Sequence, residues 1–309
     1  MERVNQTTSV SEFILLGLSS WPEDQKPLFV LFLTMYLITI TGNLIILAIH
    51  SDPQLQTPMY FFLSFLSFTD ICFTTTIVPK MLRNFLSEKK TISYAGCLTQ
   101  MYFFYALGNT DSYILAAMAF DRYVAICDPF HYVTTMSHHY CVLLLIFSCS
   151  ISHLHSLLHI LLLNLLTFCD SNAIHHFLCD INPLLKLSCT STFVNEIVIK
   201  TEGLVILVTP FLCISFSYIQ IFITVIKIPS AAGKHKAFST CGSHLTVVTL
   251  FYGSIFYVYL QPLSSYTVGD QVVTIVYTVL SSMLNPFIYS LRNKDLKRGL
   301  KKLMSRRQS

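Results

Sequence analysis

Seven runs of mostly apolar residues, separated by short polar breaks, occupy most of the 309-residue chain. They cover 27–49, 58–79, 97–121, 140–162, 197–226, 237–260 and 271–291. Each is about the length a helix needs to cross roughly 30 Å of hydrocarbon. The 26 residues before the first run are polar, and beyond Leu291 the pattern changes again. There Leu296, Leu300, Leu303 and Met304 recur at helical spacing with lysines between them, the signature of a helix lying in the membrane interface. The predicted fold is an all-α membrane protein, a seven-transmembrane helix bundle over 27–293. An N-terminal tail over 1–26 precedes it, and a short amphipathic cytoplasmic helix and tail over 294–309 follows.

Composition agrees with this pattern. With 53% hydrophobic and 12% charged residues and a mean hydropathy of +0.59, the chain has too little polar surface for a soluble domain of its size. Nucleic acid is not an expected partner, because the net charge is only +4 and the basic residues gather at one end, eight of them between Arg292 and Arg307. Such a cluster faces the cytoplasm and its anionic lipids. Seven crossings put the termini on opposite sides, so the N-terminus is expected outside, with the sequon Asn5-Gln-Thr7 as a glycosylation site. Lys and Arg then number 12 on the inner side and 8 on the outer, a modest bias resting mostly on the tail. The N-terminus lacks a basic segment followed by a cleavable apolar stretch, so the first span is expected to act as the targeting signal. Four of the ten cysteines, Cys97, Cys169, Cys179 and Cys189, fall on the outer side, where disulfides persist. Four cysteines allow three connectivities, among which the sequence does not choose.

The third run carries the most chemistry. Stepping back from Arg122 by helical spacings gives Met118, Leu115, Asp111, Gly108 and Phe104, all on one face. On a helix, Asp111 lies about 16 Å and Phe104 about 27 Å from Arg122, so the face joins a charged inner end to an aromatic outer end. A buried carboxylate cannot face lipid cheaply, which turns this face into the bundle. Asp70, about 18 Å beyond Pro58 in the second run, sits at matching depth. Two close buried acids do not both ionise unless a cation or a proton intervenes. A sodium ion or shared proton between Asp70 and Asp111 is one expectation, and two separately hydrogen-bonded acids the other.

Several longer motifs resemble one family. They are Phe13-Ile-Leu-Leu-Gly17, Gly42-Asn43, Leu55-Gln-Thr-Pro-Met-Tyr-Phe-Phe-Leu-Ser64 and Met118-Ala-Phe-Asp-Arg-Tyr-Val-Ala-Ile-Cys127. Ser217-Tyr218, Lys236-Ala-Phe-Ser-Thr-Cys-Gly-Ser-His-Leu245 and Met283-Leu-Asn-Pro-Phe-Ile-Tyr-Ser-Leu-Arg-Asn293 complete the set. In order and nearly end to end, they resemble the olfactory receptors, a tetrapod-type class II branch of the rhodopsin-like G protein-coupled receptors. The chain departs from the family pattern at Gln56 (usually His), Phe120 (usually Tyr), Ser282 (usually Pro) and Asp128-Pro-Phe130. Asp111 stands where Glu is typical, one methylene shorter, which weakens the case for a cation shared with Asp70.

The resemblance implies an odorant receptor at the plasma membrane of olfactory cilia, coupled to the olfactory stimulatory G protein and raising cyclic AMP. It implies disulfides Cys97–Cys179 and Cys169–Cys189, and an activation switch of Asp121, Arg122 and Tyr123, in which Asp121 holds Arg122 at rest. Tyr218, Asn285, Pro286 and Tyr289 match positions that support the active arrangement. The ligand is expected in the outer half of the bundle, below the long 163–196 loop. Its wall would include Phe104, Gly108 and Asn109 from the third span, and Ile206 from the fifth. Tyr252, Ile255, Phe256 and Tyr259 from the sixth and Thr278 from the seventh would complete it. Glu202 lies near the same depth, where it either meets a polar ligand or pairs with Lys200. This lining, mainly apolar and aromatic, suits a small volatile molecule.

No metal and no cofactor beyond the candidate sodium ion are expected. His153, His155 and His159 do not share one face, which argues against a three-histidine site, and His175-His176 with Cys179 is no metal site if that cysteine is in a disulfide. His244 reads as a hydrogen-bonded interior residue. An enzyme is not expected either, since no G-x-S-x-G, H-E-x-x-H or G-x-x-x-x-G-K-[ST] pattern occurs. A transporter or channel, with Asp70 and Asp111 lining an ion path, is the rival reading. Against it, the spans show no internal repeat.

Overall fold

The structure, a computed structural model, describes residues 10–19, 21–49, 56–169, 171–259, 268–292 and 298–299. Asn5 and nearly all of the 294–309 segment therefore lie outside the described residues. Seven long helices form a bundle. The first two span Pro22–Ile49 and Pro58–Phe85, the third Tyr94–Cys127, and the fourth His138–Asn164. The fifth runs from Phe193 to Ile226, the sixth spans Ala231–Tyr259, and the seventh runs from Val268 to Arg292. All seven contain or closely match the apolar runs of the sequence.

Six of these helices have a segment apolar enough to cross a membrane by composition alone, and the third does not. The reason is its place. Of its 34 residues 17 are buried, against 5 of 28 in the first span. A helix wrapped by other helices can carry Asp111, Ser112 and Thr110 inward, while the first span needs apolar residues wherever it meets lipid. The third span packs against the second, fourth and fifth and is the axis of the bundle.

Close approaches set the remaining geometry. A Cβ on Gly42 would come within 3.2 Å of the Pro286 ring, so glycine there lets the first and seventh spans meet. Beside it, Asn43 Nδ2 donates to the Ser282 carbonyl at 3.1 Å, which ties the same two helices together. The fifth and seventh spans each contain one π-helical turn, Ile199–Gly203 and Val276–Leu280. Such a turn inserts one extra residue and rotates the face presented beyond it.

A three-stranded sheet covers the N-terminal end of the bundle, in the order β2-β1-β3. β1 (Glu12–Leu15) is central, antiparallel to β2 (Thr91–Ser93) and parallel to β3 (Ala173–Ile174). Its side chains alternate as strand geometry requires, Phe13 and Leu15 being fully buried. They pack with Cys97, Phe168 and Cys179 in a second small core. Gly17 follows with φ of 77°, a left-handed turn that glycine adopts without strain. The motif Phe13-Ile-Leu-Leu-Gly17 is thus a strand and its exit turn.

Candidate functional site

Both disulfides are formed as Cys97–Cys179 and Cys169–Cys189. The first pins the long loop to the top of the third span, helped by the Cys179 N–H donating to Gln100 Oε1 at 3.0 Å. Gln271 Nε2 donates to the His175 carbonyl at 3.1 Å and ties the same loop to the seventh span. Asp180 caps the short helix Ile181–Leu185 by accepting from the Ile181 N–H at 2.7 Å, and also accepts from the Tyr105 hydroxyl at 2.5 Å. Burial raises the Asp180 carboxyl above its ordinary value, partly offset by these two donors. Burial also pushes His176 down to about 3. Its Nδ1 accepts from the Leu178 N–H at 3.1 Å, which fixes a neutral ring.

Under this pinned loop lies a cavity of about 680 Å³, within the range of small-molecule sites. Ile181, Asn182 and Leu185 of the loop form part of its wall. Of the expected residues, Phe104, Gly108, Asn109, Ile206 and Ile255 line it. Phe73, Tyr105, Ser112, Leu207, Phe251 and Tyr277 line it as well, and were not expected.

Three expected residues stand elsewhere. Tyr252 is buried behind the wall, its hydroxyl bonded to Ser112 Oγ at 2.5 Å, so it positions a lining residue without facing the cavity. Phe256 packs edge-on against Phe211, with ring centres 5.0 Å apart, and is not among the lining residues. Thr278 is fully buried, its hydroxyl donating to the Thr274 carbonyl at 2.6 Å, and Tyr277 takes the lining place. The π-helical turn Val276–Leu280 accounts for this one-residue shift of face. The Tyr259 side chain lies outside the described residues.

Glu202 takes a partner the sequence did not suggest. Lys200 pairs with Glu196 at 3.9 Å. Glu202 Oε2 instead meets His155 Nε2 at 3.2 Å and His159 Nε2 at 3.4 Å. His153 turns to the Tyr102 hydroxyl, its Nδ1 2.8 Å away, so the fourth-span histidines do diverge.

Deeper in the bundle, Asp70 and Asp111 are both buried, and each has its own neutral donor. Asn285 Nδ2 donates to Asp70 at 2.9 Å, and the Thr69 hydroxyl donates to Asp111. His244 Nε2 donates to the Leu115 carbonyl at 3.1 Å, which leaves its Nδ1 to accept from Tyr218 at 2.8 Å. This fully buried ring joins the third, fifth and sixth spans.

At the far end, Asp121 and Arg122 form no ion pair. Asp121 accepts instead from the Tyr132 hydroxyl at 2.7 Å, in the one-turn helix Tyr132–Thr135. The direct contact expected between Asp121 and Arg122 is not made, and the Tyr132 hydroxyl meets the carboxylate instead. Tyr123 packs toward Phe216 of the fifth span, ring centres 6.2 Å apart. Tyr289 is buried near the base of the seventh span.

A seven-helix bundle with a roofed cavity on one side and an Asp-Arg-Tyr end on the other defines a membrane receptor of the rhodopsin fold. Squid rhodopsin is similar, with a TM-score of 0.74 over 92% of this chain and 81% of that one at 21% identity, which establishes the fold. The olfactory receptor family model matches residues 32–307. Olfactory receptor 1L8 of Homo sapiens is 80% identical over 99% of this chain and 100% of its own. Olfactory receptor 1f45 of Rattus norvegicus is 54% identical over 99% and 98%. The chain belongs to the olfactory receptor family. It is a multi-pass membrane receptor for odorants that couples to a G protein, and not an enzyme.

Proposed function

We propose that this receptor binds a small, mostly apolar volatile molecule in the cavity between its third, fifth and sixth spans. Binding activates a stimulatory heterotrimeric G protein and raises cyclic AMP. The observation that carries the reading is the course of the third span. One rigid helix lines the cavity with Phe104, Gly108 and Asn109 and carries Arg122 near its other end, about 27 Å beyond Phe104. A ligand that shifts this helix at one end biases what the other end presents. The apolar wall of Phe73, Ile206, Leu207 and Ile255 favours a hydrophobic ligand, with Asn109, Ser112, His155 and His159 among the groups able to orient it.

The proposal includes orientation and place. The cavity and both disulfides lie on the N-terminal side, which is taken as extracellular, with the basic C-terminal segment in the cytoplasm of an olfactory cilium. A sodium ion or a shared proton between Asp70 and Asp111 is also proposed. Both acids are nearly fully buried, and the neutral donors beside them, Asn285 and Ser282 at Asp70 and Thr69 at Asp111, offset only part of the cost of two charges there.

The test is a cyclic AMP reporter in cells carrying the receptor, screened against a broad odorant panel. Odorant-evoked cyclic AMP supports the reading. An odorant-evoked ionic current through the purified protein, without any G protein, would replace it with a channel.

A further inference from the structure

We propose that His155, His159 and Glu202 form a binding site for a divalent transition-metal ion of the zinc class, bridging the fourth and fifth spans at the cavity wall. His155 and His159 are four residues apart on one helix, so their rings share a face. Glu202 reaches them from the π-helical turn Ile199–Gly203, a kind of turn often found at functional sites. Two imidazoles and a carboxylate are a donor set suited to zinc or a related ion.

The distances fit the geometry. Bonds of about 2.0–2.1 Å at tetrahedral angles place neighbouring donor atoms about 3.3–3.4 Å apart. His155 Nε2 and His159 Nε2 are 3.2 Å apart, and Glu202 Oε2 stands 3.2 Å and 3.4 Å from them. The three atoms thus outline one face of a tetrahedron.

The surroundings fit as well. The histidine side chains are 6% and 4% exposed and that of Glu202 is 32% exposed, so the site is sheltered yet reachable from the cavity. Glu202 Oε2 is buried and meets only the two histidine rings, at 3.2 Å and 3.4 Å, and the buried His159 Nδ1 has no hydrogen-bond partner among the described residues. Hydrogen bonding within the protein thus leaves the cluster short of partners, and a cation on the three converging donors would satisfy the carboxylate. Asn109 Nδ2 lies 2.9 Å from His155 Nδ1, and turning the amide over exchanges its nitrogen for its oxygen at that place. With its oxygen toward the ring it would accept the Nδ1 proton and leave Nε2 bare for the ion, the usual support for a ligating histidine.

Three protein ligands leave a fourth position open, as in zinc sites that exchange a ligand. Both histidines line the cavity, so that position faces it and takes water or the sulfur or nitrogen donor of a bound molecule. The ion site itself does not depend on the odorant reading; only the use of its fourth position does.

The experiment titrates metal-stripped, purified full-length receptor in nanodiscs with zinc chloride against a chelating dye. The expected result is one ion per receptor at micromolar affinity or tighter, weakened by on the order of 100-fold in His159→Ala and in Glu202→Gln. His153→Ala, which removes the ring facing Tyr102, keeps the affinity unchanged. X-ray absorption on the zinc-loaded wild type should report two nitrogens and one oxygen from the protein. Zinc should also raise the unfolding temperature of the wild type, a readout that needs no variant. Absence of stoichiometric binding overturns the proposal, and so does binding that survives both His159→Ala and Glu202→Gln. Failure of the odorant response with zinc binding intact would count against the receptor reading and leave the ion site standing.

Discussion

Gly108 gives the sharpest handle on the cavity. A Cβ added there would meet only Phe73 Cε2 and Cζ, both at 3.6 Å, an ordinary contact. Alanine therefore fits, and in a helix interior it stabilises by up to about 1 kcal/mol relative to glycine. Gly108→Leu adds four carbons, on the order of 100 Å³ at about 30 Å³ per water-sized group. That is taken from a cavity of about 680 Å³. A ligand that fills the site loses room for about three methylenes, worth about 2.5 kcal/mol at about 0.8 kcal/mol each. The half-maximal concentration for such a ligand should rise by about 60-fold. Ligands shorter by three or four carbons should be little affected. The assay is a dose series of homologous aliphatic odorants on wild type, Gly108→Ala and Gly108→Leu, with surface expression measured in parallel. A length cut-off that does not move in Gly108→Leu, at normal expression, would refute the placement of the ligand against this face.

Three other outcomes follow from the same structure. Arg122→Ala should abolish G protein activation while leaving odorant binding to the purified receptor within a few-fold, since Arg122 lies at the far end of the third span from the cavity; loss of both would point to misfolding. Cys97→Ser should lower stability by about 4.5 kcal/mol and Cys169→Ser by about 3.3 kcal/mol on the chain-entropy account, from sequence separations of 82 and 20 residues. Surface delivery of the Cys97 variant should therefore suffer more, and equal delivery would contradict that ranking. The third outcome concerns pH: with His176 at about 3 in the fold against an ordinary 6.5, the neutral ring is favoured, and its stabilisation is complete above pH 6.5. It is lost as pH falls toward 3, at up to about 1.4 kcal/mol per unit. Thermal unfolding at pH 7.5 and 5 should show a smaller drop in His176→Asn than in wild type, and parallel drops would remove the claim.

The spans were legible because lipid leaves a helix little choice of surface, and the inward face of the third span was legible because a carboxylate on it had to be buried. What escaped the sequence involved residues far apart in the chain or a change in helical phase. β1 is four residues long and finds its partners near residues 92 and 173, a pairing with no local signature. Thr278 was named for the cavity from the seventh span, where a π-helical turn has Tyr277 on the wall instead. The Glu202 partners come from another helix, and the choice between Arg122 and Tyr132 for Asp121 depended on where a one-turn helix after the third span folds back. Tyr252 was expected on the cavity wall, but it is buried behind it with its hydroxyl on Ser112.

The most direct test is the cyclic AMP response of cells carrying wild type, Arg122→Ala and Gly108→Leu to one panel of volatile compounds graded in length. The account predicts a set of active compounds on wild type, none on Arg122→Ala at comparable surface expression, and loss of the longest members first on Gly108→Leu. A response that survives Arg122→Ala, or an active set that Gly108→Leu leaves unchanged, would contradict it.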